Sequence, residues 1–208
     1  MNQNYQLRLI FPLAFHEYTF EKEDFNKDEL VDFCYTQKKL NPKGIDRSNR
    51  GGWHSRIFNI KKEKESPISI VLAKGLGKSV FTSCNQQLAV HVEYWIMINH
   101  KNTSNSMHTH PRAHLSGVMW IKAPENSGDL RIMNPNHFES HSEIRSYIKD
   151  VKQNTNIHES YHYLPIEGKM VTFPPHVYHE VKENKSEEDR IAVAYNISFI
   201  FPENEYDY

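Results

Sequence analysis

The spacing of apolar positions changes near residue 88, and that change divides the chain. Ahead of it, Leu30, Val31, Phe33 and Cys34 gather on one side of a helical wheel, the spacing of an amphipathic helix. Asp24 or Asn26 is placed to cap its start, and Asn41-Pro42-Lys43-Gly44 ends it after Leu40. Loose alternation from Leu7 to Phe15 predicts an opening strand, kept to a sheet edge because Pro12 lacks a ladder donor. Ser66-Pro67 to about Leu88 predicts a second helical or mixed segment, and the polar stretch Ser48 to Ser55 a glycine-containing turn anchored by Trp53.

Beyond residue 88 the period becomes two. Val90, Val92, Tyr94, Ile96 and Ile98 alternate with His91, Glu93, Trp95, Met97 and Asn99, the pattern of a half-buried strand. Leu115 to Lys122, Asp129 to Met133, Lys169 to Phe173, Val177 to Val181 and Arg190 to Phe201 are further predicted strands, with Glu125 to Gly128 a turn and a short helix around Ser142 to Ile148. Many short strands after a helix-containing region predict a mainly β protein of the sandwich or barrel type, with helices placed ahead of it. At 208 residues the expectation is a single domain: a helix-containing region over 1–88, a β core over 89–201 and a tail over 202–208.

Composition narrows the classes. A net charge of −1 makes no electrostatic case for nucleic acid or an anionic membrane surface. Cys34 and Cys84 are too few for a disulfide framework. No segment reaches the length of a membrane span and no leader pattern opens the chain, so a cytoplasmic protein is expected. Gly75-Leu76-Gly77-Lys78-Ser79 imitates the end of a phosphate-binding loop, but that loop needs a glycine where Leu72 stands. A loop between helical pieces is predicted there instead.

The unusual number is thirteen histidines. His108, His110 and His114 fall just before a strand, and His108 and His110 share one face of an extended segment. Neutral imidazole is the commonest protein ligand for mid-row transition metals, so this pair is a candidate metal site, with His114 an alternative member. His179 follows His110 by 69 residues, and only the fold can bring it to the same ion.

The strand from Arg190 offers a second signal. One face carries Ile191, Val193, Tyr195, Ile197 and Phe199, which is core; the other carries Arg190, Ala192, Ala194, Asn196 and Ser198. Small residues where a surface would carry long chains predict a cavity lining. If Glu183 to Asp189 makes a hairpin pairing Val181 with Arg190, His179 faces Ala192 and Arg190 lies diagonal to it. A guanidinium placed so can hold a carboxylate through two parallel hydrogen bonds.

These residues resemble a known family, the iron(II)/2-oxoglutarate-dependent oxygenases, and specifically the small bacterial and phage group called 2OG-Fe(II) oxygenase family 5. The resemblance rests on three ordered blocks: Ser48 to Ser55; His108 to Trp120, with its His-x-His-Pro and Leu-Ser-Gly-Val elements; and Phe173-Pro174, His179-Glu180-Val181, Arg190-Ile191 and Tyr195-Asn196. It implies a double-stranded β-helix, or jelly roll, and an enzyme that hydroxylates an unidentified substrate while decarboxylating 2-oxoglutarate to succinate. It implies that His108, His110 and His179 hold Fe(2+) and that Arg190 pairs with the distal carboxylate of 2-oxoglutarate. Trp120 falls near where relatives place an aromatic on that co-substrate, and Ala192 and Asn196, on the face of Arg190, complete the expected pocket.

Two departures stand out. His110 occupies a position where the usual facial triad has a carboxylate, and a three-histidine site also suits zinc or copper. Many relatives place a serine where this chain has Ala192. Two other classes share the architecture: a cupin-type metalloprotein, acting as an isomerase or a dioxygenase without 2-oxoglutarate, and a non-catalytic jelly-roll binding module. Arg190 and the Ser48 to Ser55 block argue for the oxygenase.

Overall fold

The computed structural model describes residues 12–82, 89–136 and 158–200. Its strands, in chain order, are β1 (His16–Thr19), β2 (Asn49–Arg50), β3 (Trp53–His54), β4 (Phe58–Asn59), β5 (Val90–Asn99), β6 (Ser104–His108), β7 (Leu115–Lys122), β8 (Leu130–Met133), β9 (Ser160–Tyr163), β10 (Lys169–Phe173), β11 (His179–Val181) and β12 (Arg190–Phe199). Two α-helices, α1 (Lys27–Leu40) and α2 (Pro67–Lys78), precede β5. The predicted Ser142 to Ile148 helix and the first residues of the Leu7 to Phe15 strand lie outside the described residues. Pro12 to Phe15 are not strand, and pairing starts at His16.

Both helices begin where side-chain oxygens can take an orphan backbone N–H. Asn26 accepts from the N–H of Glu29, and Ser66 accepts from that of Ser69 with Pro67 in the first turn. The Gly75 to Ser79 segment is the last turn of α2 rather than a loop. A Cβ at Gly75 would lie 2.4 Å from Met170 Sδ and 2.5 Å from the Phe20 ring. This glycine lets the helix lie close against the sheet; the segment cradles no phosphate.

The strands form two antiparallel sheets. The major sheet runs β1-β10-β7-β12-β5-β3, with β4 also on β5, and the minor sheet runs β2-β6-β11-β8-β9. The helices cover the outer face of the major sheet, where Leu30, Cys34, Ile68, Leu72 and Leu76 pack with Ile96, Ile98, Met119, Val193 and Tyr195. Its other face meets the minor sheet through Trp95, Met97, Trp120, Phe173, Ala192 and Ala194, against Leu130, Ile132 and Tyr163. β5, β7 and β12 are thus buried on both faces over most of their length. The period-two reading of β5 as half-buried therefore holds only for its first residues, because Trp95 and Met97 point between the sheets.

The hairpin predicted between His179 and Arg190 does not form. β11 pairs with β6 and β8 in the minor sheet, while β12 pairs with β5 and β7 in the major sheet. The connection crosses from one sheet to the other and is pinned by Asn184, which is fully buried. Its Nδ2 donates to the carbonyls of Asn99 and Glu188, and its backbone exchanges bonds with Asn102 and Thr103 at the β5–β6 corner. Buried backbone groups need partners, and here one asparagine serves two crossovers. The result is a double-stranded β-helix in which His179 and Arg190 face each other across the sandwich instead of sitting side by side.

Candidate metal centre and adjoining cavities

Three imidazoles meet at one end of the space between the sheets. His108 ends β6, His110 follows two residues later, and His179 opens β11 directly opposite His108 in the ladder. Their ligand nitrogens all lie within 4.8 Å of one another, and no carboxylate joins them among the described residues. The Nε2 atoms of His110 and His179 are 3.1 Å apart.

The tautomers follow from the backbone. His108 turns Nδ1 to the carbonyl of Ser106 at 2.7 Å, and His179 turns Nδ1 to that of Val177 at 2.9 Å. A carbonyl only accepts, so each Nδ1 carries the proton and each Nε2 presents a lone pair. Burial keeps the rings neutral: it pushes His110 down to about 3 and His179 down to about 4, with the neighbouring imidazoles adding to the shift, and it lowers His108 as well. Two nitrogens bound to one ion at about 2.1 Å each, at angles from square to tetrahedral, lie about 3.0–3.4 Å apart. The donor set fits a divalent transition metal. His114 is not part of the cluster; it packs on Phe199, whose N–H it accepts at 2.9 Å.

Behind the histidines an inner cavity of about 30 Å³ is lined by Trp95, Met97, Asn105, Trp120, Leu130, Phe173, Arg190 and Ala192, among others. Arg190 is 2% exposed. Its Nη1 donates to the carbonyls of Ser127 and Gly128, at 2.5 and 2.8 Å. The turn that presents them needs a glycine: Gly128 has φ +86°, and a Cβ there would lie 2.2 Å from the carbonyl oxygen of Lys182. Burial lowers the guanidinium to about 10, with the nearby charge of Asp129 acting the other way, so it stays charged near neutrality. Nε and Nη2 make no hydrogen bond, and no carboxylate pairs with the group, among the described residues. A buried cation without a direct ion pair is costly, Asp129 offsets that only from a distance, and an anionic ligand in this cavity would relieve the rest.

In front of the histidines lies an open cleft of about 510 Å³, lined by Arg47, Ser48, His54, Ile57, Trp95, Thr109, Pro111 and Asn196. Trp95 stacks parallel to His54 at 5.8 Å and packs on His110 at 5.6 Å. His54 is 4% exposed and held neutral, chiefly by burial, with its Nδ1–H given to the carbonyl of Ser55.

Of the expected co-substrate residues, the fold brings Arg190, Trp120 and Ala192 to the inner cavity. Asn196 instead lines the outer cleft, its Oδ1 accepting from Ser116 Oγ at 2.8 Å. Sequence reasoning missed Trp95, His54 and Asn105. The Ser48 to Ser55 block carried the signal for His54, but it reads as a turn; in the fold it supplies β2 to the minor sheet and β3 to the major one.

The architecture and its histidine cluster define a double-stranded β-helix protein with a candidate non-haem metal centre. The family described as "Putative 2OG-Fe(II) oxygenase" matches residues 93–196, half of the chain, and the chain belongs to that family, whose members are named for iron(II) and 2-oxoglutarate. Solved structures share the fold. A prolyl-4-hydroxylase from Pseudomonas putida is 12% identical, with a TM-score of 0.55 over 91% of this chain and 94% of the other. A prolyl hydroxylase from Trichoplax adhaerens, in complex with a hypoxia inducible factor peptide fragment, is 11% identical, with a TM-score of 0.59 over 88% and 82%. HygX from Streptomyces hygroscopicus, with nickel and 2-oxoglutarate bound, is 11% identical, with a TM-score of 0.55 over 91% and 84%. Among curated proteins none matches the chain. No helix of the described residues is long and apolar enough to cross a membrane.

Proposed function

We propose that this protein is an iron(II)- and 2-oxoglutarate-dependent oxygenase that hydroxylates a substrate entering through the outer cleft. One observation carries the reading: three neutral imidazoles and one buried guanidinium, without an ion pair among the described residues, face the same inner cavity from opposite sheets. When bound, iron(II) and 2-oxoglutarate supply oxidative decarboxylation to succinate coupled to insertion of oxygen from O₂ into a C–H bond. His108, His110 and His179 would hold the metal through Nε2, with the carbonyls of Ser106 and Val177 fixing two of the rings. Arg190 would take the far carboxylate, oriented by its carbonyl cradle. Trp120 and Phe173, nearly fully buried, keep water from that end.

The inner cavity of about 30 Å³ has room for about two waters. A five-carbon diacid would be accommodated more readily if wall side chains moved. Met97 and Leu130 both line the space, and an unbranched thioether adapts easily. The outer cleft is large enough for a small molecule or a side chain of a larger one, and it reaches the same histidines from the solvent side.

Binding of 2-oxoglutarate to metal-loaded protein, followed by oxygen-dependent succinate formation, tests the proposal. Wild type should bind the acid, Arg190→Ala should bind it far more weakly, and His179→Ala should form no succinate. Failure of wild type to bind, or equal binding by Arg190→Ala, would count against it. A cupin-type metalloprotein is the second reading, favoured by the all-histidine donor set; metal-dependent turnover indifferent to 2-oxoglutarate would select it.

A further inference from the structure

Asn105 lies in β6, three residues before His108. In an unbroken strand, residues three apart point to opposite faces. Here the ladder is irregular: His108 pairs with His179 and Asn105 pairs with Val181, so three steps on β6 match two on β11. The extra residue is a β-bulge, a device that re-aims side chains beside active sites. It turns Asn105 to the same interior face as His108, and both line the inner cavity.

The amide of Asn105 is 2% exposed and poorly satisfied. Among the described residues its Nδ2 reaches only Ser48 Oγ at 3.4 Å and Met97 Sδ at 3.5 Å, and its Oδ1 has no partner. Turning the amide by 180° lets Oδ1 accept from the Ser48 hydroxyl and leaves the two Nδ2 hydrogens without an acceptor. In both orientations one buried polar atom lacks a partner, a state folded proteins rarely leave uncompensated. The same cavity holds Arg190 and, at the position where a hydroxyl is expected, Ala192, which has no polar side-chain atom.

We propose that Asn105 is a co-substrate-positioning residue whose Nδ2 donates to a carboxylate oxygen of the 2-oxo acid, replacing the hydrogen bond that Ala192 cannot make. The inference rests on the 2-oxoglutarate reading above. A ligand carboxylate would satisfy the amide and the guanidinium together, and Ser48 would select the productive amide orientation. The Ser48 to Ser55 block thereby gains a part in the inner cavity as well as in the outer cleft.

The test is calorimetric binding of 2-oxoglutarate to Mn(II)-loaded protein without oxygen, comparing wild type, Asn105→Ala and Asn105→Asp, with Mn(II) affinity measured separately. A hydrogen bond to a charged group corresponds to a loss of about 10- to 100-fold. Asn105→Ala is expected to bind the acid that much more weakly with metal affinity unchanged. Asn105→Asp, of the same shape, is expected to be weaker still, because its carboxylate repels the incoming one. If Asn105 merely braces β6, Asn105→Ala binds the acid like wild type, which overturns the proposal. Metal and acid affinities falling together also overturn it, since the effect then runs through His108. If wild type binds no 2-oxoglutarate, the oxygenase reading fails and takes this inference with it; if wild type binds and both variants match it, this inference alone fails.

Discussion

His110 and His179 stand with their Nε2 atoms 3.1 Å apart, although 69 residues separate them in the chain. The Nδ1 of His179 is committed to the carbonyl of Val177, so its Nε2 points a lone pair at its neighbour. A shared cation is the natural occupant of that gap. His179→Ala should lower the affinity for Co(II) or Fe(II) by more than the roughly 10- to 100-fold that loss of a ligand's orienting partner costs. Metal titration, followed by calorimetry or by the visible spectrum of the cobalt form, measures this. Unchanged affinity would remove His179 from the site.

The same burial sets a pH dependence for the metal-free protein. Folding lowers His110 to about 3 and His179 to about 4, from about 6.5 in an unfolded chain. Between those limits the unfolded state binds more protons than the folded one, so stability rises with pH. It is fully present above about pH 6.5 and drains away as the pH falls, toward about 4 for His179 and about 3 for His110, by up to about 1.4 kcal/mol per pH unit for each ring. Urea unfolding in a chelator across that window should show the slope, and a His110→Asn variant should show a shallower one.

Arg190 does two jobs with one side chain, and Arg190→Lys probes both. An ammonium keeps the charge but loses the planar fork. Binding of 2-oxoglutarate should weaken about tenfold or more, and the carbonyls of Ser127 and Gly128 lose the donor they now share, at a cost of about 1–3 kcal/mol. Isothermal calorimetry and chemical denaturation read the two effects independently.

Gly117 belongs to the Leu-Ser-Gly-Val block, and its role is one of packing. A Cβ there would lie 2.3 Å from Tyr195 Oη and 2.5 Å from the Val171 carbonyl oxygen. Tyr195 is fully buried and its hydroxyl bonds Thr172 Oγ1 at 2.6 Å. Gly117→Ala should destabilise the fold by about 1–3 kcal/mol through overpacking. The double variant Gly117→Ala/Tyr195→Phe should not recover it, because the ring carbon Cζ also lies 2.3 Å from the added Cβ and Thr172 Oγ1 loses its buried partner; a shift in the thermal midpoint reports both.

What the amino-acid order determined by itself was local. The cap at Asn26, the helix to Leu40, the period-two strands and the division of β12 into a core face and a small-residue face all follow from side-chain chemistry within one segment. The three-histidine set and Arg190 were readable as residue types suited to a metal and a carboxylate, and the structure gathers them around one cavity. Tertiary structure alone decided how they meet. A hairpin between His179 and Arg190 satisfies the local pattern just as well, but the connection through Asn184 crosses between the sheets, because its buried polar atoms find partners at the β5–β6 corner. The bulge that turns Asn105 inward and the packing of Trp95 against His54 and His110 are equally invisible in sequence. Each depends on the register between strands distant in the chain, and a single-residue shift in that register changes which face a side chain occupies.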